Sequence, residues 1–173
     1  MLSRVPTWTI ALAWSLSAAT ALVAQSSDLV DLRRIGHVTS KGRIQDQGVP
    51  VVEALIKAGP AATTFLISKL DDSTPIRGQV FDFWPTVEVR QVALVILCDL
   101  FTAPDGVTPT VSGVSWDEIL ERQSNDVPAW TLYDDYIARH GRTAVRAKVE
   151  RLLAPSRDHL VWNTRDRCFR LRD

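Results

Sequence analysis

Seven consecutive residues, 92–98 (VALVILC), carry no polar side chain. Apolar surface gains roughly 25 cal/mol per Å² when it leaves water, so a run of this kind must be covered on every side. Two conformations suit it: a strand buried on both faces, or a helix at the centre of a fold. Val92, Val95 and Ile96 are β-branched and favour the strand. Length favours the helix, because the pattern extends over residues 86–101 and every clear neighbour in the chain is helical. The expected class is therefore all-α, with other helices packed around this one.

Those neighbours are legible from their ends. Pro50 opens a helix that runs to Gly59, since a proline in the first turn loses no helical hydrogen bond and a terminal glycine accepts positive φ. Val51, Val52, Leu55 and Ala58 fall on one face of it. Pro60 opens the next, in which Ala62, Phe65, Leu66 and Leu70 recur at three- and four-residue steps. A link this short makes the two helices a hairpin pair. Ser115 and Glu118 have the spacing of a capping box, which predicts a short helix over residues 116–122. Pro128 begins a helix to His140 with the stripe Ala129, Leu132, Tyr133, Tyr136 and Ile137, and Gly141 stops it. A last helix is expected over residues 143–153, ended by Pro155, with a short strand or turn at Leu160 to Trp162. Upstream, a short helix over residues 28–35, capped by Asp28, precedes a loop that ends at Gly48.

The residues Leu55, Gly59, Pro60, Leu66, Leu70, Asp71, Asp72, Val89, Arg90, Ala93 and Leu97 together resemble the HEAT-repeat pattern, over about 50 residues. The resemblance implies antiparallel helix pairs stacked as a short α-solenoid whose ridges bind other proteins, and it implies no chemistry. The chain departs from the pattern in one respect: a fourteen-residue insert, 73–86, lies between Asp72 and the Val-Arg of the next helix. Asp71 and Asp72 are expected as turn-capping carboxylates, with Arg90 pairing with one of them as a structural clasp.

Residues 1–24 read as a secretory signal peptide: Arg4, an apolar run, then small residues at Ala19, Ala21 and Ala24. The run of roughly 17 apolar residues is short for a span, which needs about 20. The organisation expected is a signal over 1–24, a polar segment over 25–48, a helical-repeat domain over 49–153 and a basic C-terminal tail over 154–173. The chain is thus expected to be exported, periplasmic or extracellular, with no integral membrane span after cleavage. Export allows a disulfide between Cys98 and Cys168. The sequence around Cys98 reads instead as core, and Cys168 sits in a polar tail where a free thiol is expected to react quickly.

Charge is balanced overall and skewed locally. Residues 139–173 hold ten Lys/Arg against four Asp/Glu, whereas residues 25–138 hold nine against sixteen. The basic residues form no dense run, so docking of the basic third on its own acidic body is expected in preference to nucleic acid or anionic lipid. His37, His140 and His159 stand in no metal-ligand spacing, and no nucleophile elbow, phosphate loop or dinucleotide fingerprint occurs. No catalytic residue, cofactor or metal is assigned.

The insert TPIRGQVFDFWPT remains. An extended course puts Val80, Asp82 and Trp84 on one side and Phe81 and Phe83 on the other. In one reading the aromatics plug the end of the helix stack, Trp84 above all; in the other, Arg77, Phe81, Phe83 and Trp84 form a binding patch of the composition found at hot spots. The expected function is non-enzymatic binding of a protein or peptide partner, with a small exported enzyme or accessory factor as the alternative. The exported protein should begin at Gln25, which its intact mass reports; full-length chain in the membrane fraction would contradict the cleavage.

Overall fold

The computed structural model describes residues 31–39, 42–82, 86–123 and 129–172, with the backbone alone at 129–130. Short 3-10 helices at Leu32–Arg34 and Ile44–Gln47 lead into α1 (Pro50–Ala58), α2 (Pro60–Lys69), α3 (Val89–Leu100), α4 (Trp116–Ile119), α5 (Ala129–His140) and α6 (Ala144–Leu153). A 3-10 helix at Ala154–His159 and an antiparallel hairpin of β1 (Leu160–Asn163) and β2 (Cys168–Leu171) follow. The chain is mostly helical with one small two-stranded sheet among the described residues.

The apolar run is a helix, and it is central. Every residue of α3 except Val95 is buried. It is covered by α2, α4, both N-terminal 3-10 helices and β2. Glu88 caps it: the Gln91 side-chain oxygen accepts the Glu88 N–H at 2.8 Å, and the Glu88 carboxylate returns the favour to the Gln91 N–H. The helix starts at Val89, later than the expected residue 86, because the backbone just before it is already committed. The Ile76 N–H donates to Val87 O at 2.9 Å, and Pro75 bridges Glu88.

Gly59 joins α1 to α2 with φ 58°, which a side chain would strain; its N–H closes α1 on Ile56 O at 3.1 Å. Val52 and Leu55 of α1 and Ala62, Phe65, Leu66 and Ile67 of α2 are buried. The Ser115 hydroxyl accepts the Glu118 N–H and donates to the Glu118 carboxylate, as its spacing implied. The helix it starts is shorter than expected, since Glu121 lies at φ 55°. Upstream, Asp31 caps the Leu32–Arg34 turn, and the second 3-10 helix, Ile44–Gln47, occupies part of the expected loop. Residues 1–30, including Asp28 and the signal segment, lie outside the described residues.

The Arg90 expectation is corrected. Its backbone N–H donates to Asp72 O at 2.9 Å, but its guanidinium turns away from both aspartates. It lies between Glu88 and Asp134, 3.1 Å from the latter, and over the Tyr133 ring. Tyr133 in turn donates its hydroxyl to Leu70 O at 2.8 Å. Asp72 instead accepts the Thr74 N–H, and Asp71 faces Arg146 at 3.5 Å.

The basic C-terminal segment is folded onto the body. Pro155 sits in the first turn of a 3-10 helix that follows α6 directly. The hairpin pairs Trp162 with Phe169, whose rings meet edge-on at 4.9 Å, and Phe169 stacks on Phe101 at 5.2 Å. Opposite charges meet as the skewed composition implied: Arg167 with Glu53, Lys148 with Glu121, Arg146 with Asp71. The deepest tie is Arg43, 5% exposed. It donates to Asp99 Oδ1 at 3.3 Å and to the carbonyls of Asp166 and Arg167 at 3.2 and 2.7 Å. Asp99 Oδ2 accepts the Gln45 N–H at 3.2 Å. One guanidinium thus joins the central helix to the hairpin turn. Removing one partner of such a buried pair typically costs about 3–5 kcal/mol, because the other charge is left uncompensated.

Burial of both cysteines overturns the expectation for Cys168. It is 0% exposed, and Cys98 is 7% exposed; both are free thiols. Burial also pushes the Cys98 thiol upward, with Asp99 and Asp117 adding to it, which suppresses the reactive thiolate. Both should label slowly in the native protein and quickly in denaturant. Fast native labelling of Cys168 would mean that the hairpin is not docked.

Burial pushes the Asp99 carboxyl up to about 6; Gln45 and Arg43 oppose the rise without cancelling it, and Asp46 adds to it. An unfolded aspartate titrates near 3.9. The folded protein therefore holds this proton more tightly than the unfolded chain does. The stabilisation this gives is full below about pH 4 and is lost as pH rises through about 6. Asp99→Asn cannot ionise, so whatever constant cost it carries from loss of the Arg43 pair, its stability deficit against the parent should shrink as pH rises from about 4 to 7. Denaturant midpoints across that range test it, and parallel curves would contradict it.

Candidate functional site

The described residues of the insert are anchored at several points. Val89 N–H to Thr74 O at 3.0 Å and Ile76 N–H to Val87 O close its two ends against the start of α3. In its middle, Val38 N–H donates to Val80 O at 2.6 Å, Val38 bridges Phe81, and His37 Nε2 lies 2.6 Å from Asp82 Oδ1. These contacts draw Val80 and Phe81, at 1% and 4% exposure, into the core together. The strict inward–outward alternation expected of an extended segment is therefore absent there.

Phe81 accordingly does not belong to an exposed aromatic patch. The bridge to Val38 turns it inward, into the core. Phe83 and Trp84 lie outside the described residues. Arg77 is exposed, beside buried Ile76 and the turn at Gly78, whose φ is 96°.

Arg77 does not stand alone. The insert and the first 3-10 helix together shape an open pocket of about 450 Å³, lined by Asp31, Arg33, Arg34, Thr74, Pro75 and Arg77. Three guanidiniums therefore face one carboxylate. That carboxylate is already engaged: Asp31 Oδ1 accepts the Arg33 N–H at 3.1 Å and its Nε at 2.7 Å, and Oδ2 accepts Nη2 at 3.0 Å. The hydrogen bonds from Arg33 hold the Asp31 carboxyl below the usual aspartate range. Asp31 thus caps the turn and neutralises Arg33, and it stays charged while doing so.

Arg34 and Arg77 have no side-chain hydrogen bond or ion pair among the described residues. The nearby Asp72 is occupied by the Thr74 N–H and by Lys69 at 3.6 Å. The pocket is accordingly cationic and rich in donors, and its planar guanidiniums suit carboxylates. Of the residues that line this pocket, Arg77 is the one that the sequence marks as a candidate binding residue. The adjacent Arg33 and Arg34 pair was visible as a dipeptide, but nothing local placed it beside residue 77, more than forty positions away.

No group of three His, Cys, Asp or Glu suited to a metal ion occurs among the described residues. His140, at the end of α5, packs on Tyr136 at 4.6 Å and faces Glu121 at 3.6 Å, a structural setting at a helix C-terminus. Comparison with protein-family models, with curated proteins and with solved structures yields no match.

Proposed function

We propose that this protein is an exported, non-enzymatic interaction module that captures an acidic segment of a partner protein in the Arg33–Arg34–Arg77 pocket. The observation that supports this reading is the pair of guanidiniums, Arg34 and Arg77, with no side-chain hydrogen bond or ion pair among the described residues beside an open pocket. Arginine is among the residues most enriched at binding hot spots, and its fork donates two parallel hydrogen bonds to a carboxylate. The insert that carries Arg77 is held at both ends and in the middle, so little loop ordering is required on binding. In this reading the helices form a short HEAT-like stack whose role is to hold the loop and the N-terminal turn in register.

A fluorescein-labelled peptide alternating Asp and Glu should bind at low ionic strength and weaken as salt rises. Arg34→Ala and Arg77→Ala should each reduce its affinity about tenfold or more, with little change in melting temperature, because both side chains are exposed. Binding of a Lys-rich control equal to that of the acidic peptide, or unchanged affinity in both variants, would overturn the proposal.

A further inference from the structure

A second cavity, of about 280 Å³, lies where α2 meets the C-terminal hairpin. One face of α2 forms a wall, with Pro60, Thr63, Thr64 and Ile67 at helical spacing. Leu153, Leu160 and Phe169 complete the apolar lining. Arg157 closes the set, exposed, and with no side-chain hydrogen bond or ion pair among the described residues. The volume is close to the lower end of ligand pockets, which span about 300–1,000 Å³.

We infer that this cavity binds a small amphipathic carboxylate, its aliphatic or aryl body against Ile67, Leu153, Leu160 and Phe169 and its anionic head toward Arg157. The assignment follows from the division of the lining. The interior offers apolar surface that gains from displacing water, and the rim offers one cation without a partner. A neutral apolar ligand would leave Arg157 unused, and a bare inorganic anion would leave the apolar wall wet. Pro60, the first residue of α2, lies on the same wall, so the positive end of that helix reinforces the preference for an anion.

Thr63 adds a polar element. Its hydroxyl is shut off from solvent and has no hydrogen-bond partner among the described residues. Threonine in a helix divides between two χ1 rotamers, so this hydroxyl can turn toward a bound carboxylate without breaking an existing hydrogen bond. An unpaired buried hydroxyl is otherwise a cost to the fold, and a ligand that satisfies it removes that cost.

The cavity is separate in composition from the Arg33–Arg34–Arg77 pocket, and no residue is shared. Sodium octanoate, titrated into the nitrogen-15-labelled protein, is the probe. Saturable amide shifts are expected at Thr63, Thr64, Arg157 and Leu160, with Arg34 and Arg77 unmoved. Octanol should bind about tenfold more weakly, as loss of a charge-assisted hydrogen bond implies. Arg157→Gln should bring octanoate down to the level of octanol while the rest of the spectrum keeps the folded dispersion. Inorganic phosphate should produce no shift at the apolar wall. The inference is overturned by an absence of saturable shifts, by shifts confined to Arg34 and Arg77, or by an octanoate preference over octanol that survives Arg157→Gln.

Discussion

One requirement governs this chain: α3 must be covered on all sides. Five of its residues, Val92, Ala93, Leu94, Ile96 and Leu97, are wholly buried. A helix has a perimeter that no single neighbour can cover, so several elements must converge on it. Here α2 and α4 supply part of the cover, Tyr133 of α5 packs against Arg90, and further cover comes from the two extremes of the described chain. The N-terminal 3-10 helices and the C-terminal strand β2 both reach α3. Short elements with little intrinsic stability are thereby held by burial, which supplies what their length cannot.

The polar consequence of that convergence is Arg43. Bringing an N-terminal loop and a C-terminal turn onto one helix leaves carbonyls and a carboxylate facing inward, and a buried group of that kind needs a donor. Arg43 donates to all three, Asp99, Asp166 O and Arg167 O. A buried ion pair is seldom a large net gain in stability, because desolvation offsets the attraction. Its effect here is geometric. It ties the hairpin turn, at the carbonyls of Asp166 and Arg167, to Asp99 of α3.

The charge distribution follows a similar logic. Part of the basic excess of the C-terminal third meets carboxylates of the acidic body through Arg146, Lys148 and Arg167, while Arg142 donates to the Asp71 carbonyl and the Ser73 hydroxyl. Among the arginines with no side-chain hydrogen bond or ion pair in the described residues, three, Arg34, Arg77 and Arg157, line a concavity. Exposed ion pairs contribute little to stability, so the paired set chiefly orients the docked segment. The unpaired set is where external anions have something to gain.

Local patterns determined the helices. Proline at the first position, glycine after the last and three- to four-residue apolar spacing are short-range properties, and they placed α1, α2, α5 and α6 to within a residue or so at most of their ends. The all-round apolar run determined that α3 would be central, since no other placement keeps it from water. What the sequence alone could not decide were contacts between distant positions. Cys168 lies among charged residues in sequence yet is fully buried, because Phe169 beside it stacks on Phe101 and carries the strand inward. Arg90 bypasses the adjacent aspartates for Asp134 and the Tyr133 ring, partners 44 and 43 positions away. Phe81 turns inward because Val38 bridges it, and Arg77 gains Arg33 and Arg34 as neighbours through the same closure of the N-terminal segment on the insert. Periodicity and capping act within a few residues and survive in the linear text; burial, ion pairing and pocket formation depend on chain closure over tens of residues, and only the folded chain brings those groups together.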